Sequence, residues 1–267
     1  MKKKQAFTLI ELLVVIAIIA LLMAILMPAL RRVKKQSQAT VCLVNLRQWG
    51  NIFAMYTDDN DGFFMAPWQA GTSWPNVLES YYKDKKFCLC PAATKLTSEG
   101  VTGSLPSARA WGAWPGMVQG HYINGVYGSY GINAWVHNQP KDAPDNLWGQ
   151  PEVYKWKTMN VIKNTNNIPL FLDCMVPASA PDDTDYPPSF EGLWEPGSPS
   201  GMCNFCINRH DGYINGVFFD FSVRRIGLKE LWHLKWHREY DTNGPWTKAG
   251  GVQPSDWSEW MRKFKDY

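Results

Sequence analysis

The sequence predicts an α+β fold in which one long N-terminal helix lies on an antiparallel β-sheet with loop-rich insertions. The helix is predicted by an apolar run from Phe7 to Leu30 and by apolar residues that continue at helical spacing to about Tyr56. The sheet is predicted by the apolar segment 169–174 and by an alternating segment farther along the chain. Residues 68–150 are rich in Gly, Pro, Trp and Ser, which predicts loops and turns.

The apolar run is long enough to cross a membrane. Its 24 residues, Phe7 to Leu30, would form a helix of about 36 Å. A secretory signal has a shorter apolar region followed by a small-residue cleavage site, so a membrane anchor is the better interpretation. Glu11 is the one charged residue in this run. Burying a charge at membrane depth costs roughly a few kcal/mol, so its presence needs an explanation. Either Glu11 reaches the interface or it has a partner.

The segment Ala6–Ala20, with the sequence AFTLIELLVVIAIIA, resembles the cleavage and methylation motif of type IV pilins and type II secretion pseudopilins. The resemblance implies that a prepilin peptidase cuts between Ala6 and Phe7 and methylates the new amino group. Residues 1–6 are then a leader peptide, 7–30 a transmembrane and filament-core helix, and 31–267 an extracytoplasmic globular domain. The family usually has Gly before the cut, so Ala6 departs from the pattern; Ala is small, and we expect cutting to be retained.

The same resemblance implies roles for two residues of the apolar run. The carboxylate of Glu11 would meet the amino group of Phe7 on a neighbouring subunit, where opposite charges in a low dielectric attract strongly. Pro28 would let the helix bend or melt locally in a filament, because proline removes a helical hydrogen bond. The alternative is that Pro28 simply ends the helix at the membrane exit.

A structural subunit of a type IV pilus-like or type II secretion pseudopilus filament is therefore the expected function, with no enzyme activity. The expected partners are copies of itself, other pilin-like subunits, the prepilin peptidase and inner-membrane assembly machinery. The expected location is the bacterial inner membrane for the precursor, then a periplasmic or cell-surface filament. The alternative is an anchored carbohydrate-binding module, which would need exposed rings in the aromatic loops, such as Trp111, Trp114 and Trp135.

Charge and composition exclude one class of partner. The formal charge of +3 comes from Lys2, Lys3 and Lys4, and the remaining chain has 24 basic and 24 acidic residues. Nucleic-acid binding needs a concentrated basic face, so none is expected. The 14 Trp, 11 Tyr and 12 Phe residues predict an aromatic core, with some rings at interfaces.

The predicted helix continues beyond the membrane as one apolar stripe: Cys42, Leu46, Trp49, Phe53 and Tyr56. The segment 57–62, with the sequence TDDNDG, ends it. This segment matches only half of a calcium-binding loop, since Thr57 and Trp68 stand where ligands belong. Calcium is possible but cannot be placed, and no cofactor is predicted.

Four further segments complete the predicted domain. Pro169 to Cys174 is a buried strand, and Val217 to Arg224 is a strand with one buried face. Met202 to Arg209 is its partner across a turn at Asp211–Gly212, and Leu228 to Tyr240 is a helix.

A second, looser resemblance covers more of the chain. The segments CLVNLRQ at 42–48, Cys90–Pro91, SYGIN at 129–133 and the block at His210 resemble a large group of prepilin-processed bacterial proteins. That group is named for a His, nine residues and then Asp-Gly. Here Asp220 follows His210 at that spacing, but Phe221 replaces the Gly.

No catalytic residue is predicted. His210 and Asp220 could form a catalytic pair, but a hairpin explains both, and no nucleophile motif occurs nearby. Cys88, Cys90, Cys203 and Cys206 could form a four-thiolate zinc site, but disulfides are expected in an oxidising compartment. The expected pairs are Cys42 with Cys88 or Cys90, and Cys174 with Cys203 or Cys206, although sequence does not fix the connectivity.

Overall fold

A computed structural model describes residues 9–67, 74–93, 95–96, 109–112, 117–118, 121–122, 127–147, 149–160, 163–191 and 200–267. Its dominant element is helix α1, Leu9–Asp59, with Pro28 inside it. At 51 residues, this helix is about 76 Å long. The predicted extension of the helix beyond the apolar run is confirmed, and the helix ends three residues later than expected.

The remaining elements are short. The described strands are β1 Lys95–Leu96, β2 Arg109–Gly112, β3 Met117–Val118, β4 His121–Tyr122, β5 Tyr127–Gly128, β6 Tyr130–Asn133, β7 Asn146–Leu147, β8 Gln150–Pro151, β9 Pro169–Asp173, β10 Ala178–Ser179, β11 Tyr213–Phe218 and β12 Val223–Gly227. A short α2 covers Trp74–Val77. The 3₁₀ turns cover Glu79–Tyr81, Lys85–Cys88, Ala134–Val136, Glu152–Tyr154, Thr165–Asn167, Gly201–Asn204, Leu228–His233 and Glu259–Met261.

The main sheet among the described residues has five strands in the order β10-β6-β9-β11-β12. Strands β6, β9, β11 and β12 pair antiparallel, as predicted, whereas the edge strand β10 runs parallel to β6. The sheet is therefore mixed rather than purely antiparallel. Part of the region expected to be loops also forms strands, which are β1 to β7 among the described residues.

The two faces of the sheet bury two separate hydrophobic clusters. On one face, Phe171 of β9 packs against Trp49 and Phe53 of α1, with ring centroids 5.1 and 5.2 Å apart. On the other face, Leu172 joins a cluster with Trp232 and other residues of the C-terminal segment. Adjacent residues of a strand point to opposite faces, so β9 separates the two clusters. The predicted buried strand at this position is confirmed.

The predicted strand at 217–224 is wrong, because a hairpin turn interrupts it. Val217 of β11 pairs with Val223 of β12, and the residues between them reverse the chain. Asp220 Oδ1 accepts hydrogen bonds from the backbone N–H of Ser222 at 3.0 Å and from its hydroxyl at 2.6 Å. Such Asx hydrogen bonds stabilise turns, and periodicity alone did not reveal this one.

Two other predicted elements are also wrong. The segment 202–209 is not a strand; it begins in the 3₁₀ turn Gly201–Asn204, and the true neighbours of β11 are β9 and β12. The segment 228–240 forms the 3₁₀ helix Leu228–His233 and then extends. In both segments the local hydrogen bonds are those of a 3₁₀ turn, such as Phe205 N–H to the Met202 carbonyl and Leu234 N–H to the Leu231 carbonyl, and they replace the predicted strand and α-helix ladders.

Candidate functional site

The N-terminal half of α1 exposes an almost continuous apolar surface. Ile10 and Ile25 are 75% and 72% exposed, and the large apolar side chains between them are also exposed. This is the one helix among the described residues with the length and hydropathy to cross a membrane. Such a surface is stable only against lipid or against other apolar helices.

Glu11 lies in the first described turn of α1 and is exposed on this apolar half. The helix N-terminus favours a carboxylate because of the helix dipole. Ala6 and Phe7, the predicted processing site, lie outside the described residues, so cleavage and the Glu11 contact stay predictions. Pro28 lies within a continuous helix, so it does not end α1 at the membrane exit; its role in a filament stays a prediction.

The C-terminal half of α1 anchors the globular domain. Its predicted stripe is confirmed: Cys42, Leu46, Trp49 and Phe53 are fully buried, and Tyr56 is half-buried. The ring of Trp49 contacts the rings of Trp74, Tyr82, Phe87 and Phe171 at centroid distances of 5.0–5.3 Å. A single helix therefore presents an exposed apolar half and a half buried in the domain core.

The turn after α1 is held by its own hydrogen bonds. Thr57 donates to the carbonyls of Phe53 and Ala54, and Asp59 accepts from the Tyr81 hydroxyl at 2.9 Å. Asp61 and Gly62 adopt positive φ angles of 52° and 80°. Within the described residues, this turn contributes to neither of the two groups of side chains that could hold a metal ion. Calcium binding here stays an untested possibility.

A polar cluster is buried between α1 and the sheet. Cys42 comes from α1, Cys90 follows the 3₁₀ turn Lys85–Cys88, Asp173 ends β9, and His210 precedes β11. Their ligand-type atoms all lie within 4.8 Å of one another. His210 Nε2 lies 3.2 Å from Asp173 Oδ2 and 3.5 Å from Cys90 Sγ, and Cys42 Sγ lies 3.5 Å from Asp173 Oδ2. We refer to these four residues as the thiol cluster.

Asp173 is the electrostatic centre of the thiol cluster. Arg209 Nη1 donates to Asp173 Oδ1 at 3.0 Å, and the backbone N–H of Asn215 donates to Oδ2 at 2.9 Å. Burial alone would raise the pKa of Asp173, but His210 and Arg209 lower it to about 2. Burial would lower the pKa of His210, but Asp173 and Cys90 raise it to about 9.

The two thiols of the cluster differ. Burial raises the pKa of Cys42 well above its usual value, and the neighbouring Cys90 and Asp173 raise it further. Burial would also raise the pKa of Cys90, but hydrogen bonding with Cys42 and His210 lowers it to about 7. The arrangement therefore favours a thiolate at Cys90 beside an imidazolium at His210.

All six cysteines are buried and unlinked in the structure. The predicted partners Cys42 and Cys90 are brought together, so this pairing stays a prediction with support from proximity. The Cys206 thiol lies 3.8 Å from Met261 Sδ, and Cys203 Sγ lies 3.3 Å from Ser200 Oγ. The four-thiolate site considered for Cys88, Cys90, Cys203 and Cys206, all of them described residues, is not among the potential metal-binding groups.

The sequence analysis considered only Asp220 as a partner of His210, rejected that pair, and did not identify the carboxylate that His210 contacts. The structure places His210 against Asp173, while Asp220 lies in the exposed hairpin turn. The missed signal was an acid at the end of the apolar strand 169–173, since an acid at such a position is buried and needs a partner. The replacement of Gly by Phe221 also has a visible consequence, because Phe221 adopts a φ of 58°, where glycine is preferred.

The aromatic residues proposed for carbohydrate binding are mostly inside the protein. Trp111 and Trp135 are buried, and their ring N–H groups donate to the carbonyls of Tyr130 and Pro181 at 2.8 and 2.7 Å. Trp114 lies outside the described residues. The carbohydrate-binding alternative therefore loses two of its three candidate rings.

A long helix that is apolar and exposed at its N-terminal half and packed on a sheet at its C-terminal half is the architecture of pilin-like proteins. The family model for the prokaryotic N-terminal methylation motif matches residues 1–27. The chain is 32% identical over 152 residues to the type IV wide pilus major component PilA4 of Thermus thermophilus, across 54% of this chain and the whole of that relative. This chain belongs to the type IV pilin family.

Membership in this family agrees with the prediction that the protein is not an enzyme. The narrower group, which is named for a His, nine residues and Asp-Gly, is unconfirmed. No solved structure matches the chain.

Proposed function

We propose that this protein is a structural subunit of a type IV pilus-like filament. The observation that carries the proposal is the division of α1 into an exposed apolar half, residues 9–30, and a half buried in the globular domain. In a filament, the exposed halves of many subunits would pack together, which removes their apolar surface from water. The globular domains would then form the outside of the filament.

Processing precedes assembly in this proposal. The precursor sits in the bacterial inner membrane, and the prepilin peptidase cuts between Ala6 and Phe7 and methylates the new amino group. The inner-membrane assembly machinery then extracts the subunit into a filament that is periplasmic or on the cell surface. The carboxylate of Glu11 pairs with the amino group of Phe7 on the next subunit and sets the register. Support comes from the match to the methylation motif and from the exposed position of Glu11.

A pilus is favoured over a type II secretion pseudopilus because the similar protein is a pilus major component. Deletion of the gene should remove surface filaments while leaving the secretion of exported enzymes unchanged. The opposite result would assign the subunit to a secretion pseudopilus.

The test of the assembly role is Glu11→Ala in the native host. The variant should be cut normally, as shown by an intact mass that begins at methylated Phe7, but should yield few or no filaments in the sheared fraction. Asp58→Ala is the matched control, because it removes an exposed carboxylate of α1 that lies outside the apolar half. Abundant normal filaments from Glu11→Ala would refute the role assigned to Glu11.

A further inference from the structure

We propose that the thiol cluster, Cys42, Cys90, Asp173 and His210, binds one zinc ion that ties helix α1 to the sheet. The proposal concerns the globular domain itself and does not depend on filament assembly. Two thiols, an imidazole and a carboxylate are all side-chain groups that bind zinc in proteins. All four residues are buried, as a closed structural site requires.

Three of the six distances between the donor atoms match the edges of a tetrahedral zinc site, and all six are within 4.8 Å. With typical zinc–ligand distances, the edges of the tetrahedron are about 3.5 Å between sulfur and nitrogen, about 3.5 Å between sulfur and oxygen, and about 3.3 Å between nitrogen and oxygen. The corresponding distances are 3.5 Å from Cys90 Sγ to His210 Nε2, 3.5 Å from Cys42 Sγ to Asp173 Oδ2, and 3.2 Å from His210 Nε2 to Asp173 Oδ2. Three edges of the site therefore already have the lengths that a bound ion requires.

The charges around the cluster also balance. Two thiolates and the Asp173 carboxylate carry three negative charges, and a zinc ion supplies two positive ones. The buried guanidinium of Arg209, which is bonded to the other carboxylate oxygen of Asp173, supplies the third. A buried group of charges is stable only when it is neutralised and hydrogen-bonded in this way. Arg209 would thus orient the carboxylate. Asp173 Oδ2 accepts a hydrogen bond from the backbone N–H of Asn215 at 2.9 Å and would use its second lone pair for the metal.

The four ligands come from segments that are far apart in the sequence. A bound ion would connect α1, the segment after Lys85–Cys88, the end of β9 and the residues before β11. It would act as a cross-link between the helix and the central strands, and its binding energy would add to the stability of the fold. The rival state is a Cys42–Cys90 disulfide, which would consume two of the ligands.

The test is the metal and thiol content of the full chain, purified in detergent from native membranes without a histidine tag. We expect one zinc per chain by elemental mass spectrometry and six reactive thiols after unfolding in chelator. After chelation and refolding, added Co²⁺ should produce the visible absorption of a tetrahedral thiolate complex. One equivalent of zinc should displace the bound Co²⁺ and abolish this absorption.

Variants locate the ion. Cys90→Ser and His210→Ala should lose the bound zinc, while Cys206→Ser, which alters a buried thiol in the other hydrophobic cluster, should retain it. Cys90→His replaces one zinc ligand by another and should keep the metal with a weaker thiolate band, which guards against a variant that fails only because it misfolds. A metal-free chain with a Cys42–Cys90 cross-linked peptide would overturn the proposal. A metal-free chain with six free thiols that also fails to bind Co²⁺ would overturn it as well.

Discussion

The guanidinium of Arg209 lies 3.0 Å from the Asp173 carboxylate, Nη1 to Oδ1, and both side chains are completely excluded from solvent. Arg209 also donates to the backbone carbonyls of Ser129 and Cys174. One arginine thus connects Ser129, which precedes β6, with Cys174, which follows the neighbouring strand β9. The pair is a structural feature of the domain and makes its stability sensitive to single substitutions.

Arg209→Met should reduce the free energy of unfolding by about 3–5 kcal/mol, because it leaves buried carbonyl groups and a buried carboxylate without their cation. Unfolding of the full chain in detergent by urea, followed by tryptophan fluorescence, measures the loss. Lys157→Met is the control: Lys157 pairs with Glu152, but both side chains are about one-third exposed. Its expected cost is at most about 1 kcal/mol. Equal losses for the two variants would show that burial does not decide the contribution.

The hairpin turn provides a second prediction. Phe221 has a φ of 58°, in the region that disfavours residues with a Cβ by roughly 1–2 kcal/mol. Phe221→Gly and Phe221→Ala both remove the ring, so their comparison isolates the backbone. The glycine variant should be more stable than the alanine variant by about 1 kcal/mol in urea unfolding. If alanine is equal or better, the turn does not hold the left-handed conformation in solution.

Trp49 is the central ring of the cluster between α1 and the sheet. Trp49→Ala should cost about 3–5 kcal/mol, because it leaves a cavity among four aromatic neighbours. Met55→Ala on the same helix is the control, since Met55 is 46% exposed and should cost less than about 0.5 kcal/mol. Thermal unfolding monitored by near-UV circular dichroism would measure both. A small effect at Trp49 would mean that α1 is not part of the domain core.

His137 should destabilise the domain in mild acid. Burial and, to a smaller extent, the charge of Lys155 lower the pKa of His137 to about 3. Above about pH 6.5 the histidine is neutral in both the folded and the unfolded chain, so its titration does not change the free energy of unfolding. Below that value the unfolded chain binds a proton that the folded chain excludes, so stability decreases by up to about 1.4 kcal/mol per pH unit down to about pH 3.

His137→Gln removes this contribution. We expect the loss of stability between pH 7.5 and pH 5 to be about 2 kcal/mol smaller in the variant than in the unmodified chain. The other acids and bases titrate in both proteins. The difference between the two plots of unfolding free energy against pH is therefore caused by His137. Parallel slopes would show that His137 is protonated inside the folded domain.

The sequence predicted correctly the element whose apolar pattern extends over many residues, and it failed for several short ones. Helix α1 was predictable because its apolar residues repeat at helical spacing over many turns. The hairpin at 217–223 was missed because alternation continues through a turn that the Asp220 side chain stabilises, and period alone cannot separate the two cases. The helix predicted at 228–240 failed because the segment turns only as a 3₁₀ helix to His233 and Leu234 is already extended, and the apolar pattern does not distinguish this from an α-helix.

The thiol cluster was only partly predictable. Its cysteines were recognised as candidates, and the association of Cys42 with Cys90 was one of the predicted pairs. The role of Asp173 depends on β9 ending beside His210, and Arg209 reaches the same point from the following loop. Contacts between segments more than thirty residues apart follow from the order of strands in the sheet, which no local pattern specifies.

Because α1 forms both the exposed apolar half and part of the domain core, the chain can be separated from its apolar half only within a short stretch of the helix. Residues 31–38 are largely exposed and include Arg31, Arg32, Lys34 and Lys35, whereas Ala39 is the first buried residue of the helix. A water-soluble fragment must begin within these eight positions. A fragment that starts earlier keeps exposed apolar residues and is expected to aggregate. A fragment that starts after Ala39 lacks part of the helix that packs in the domain core.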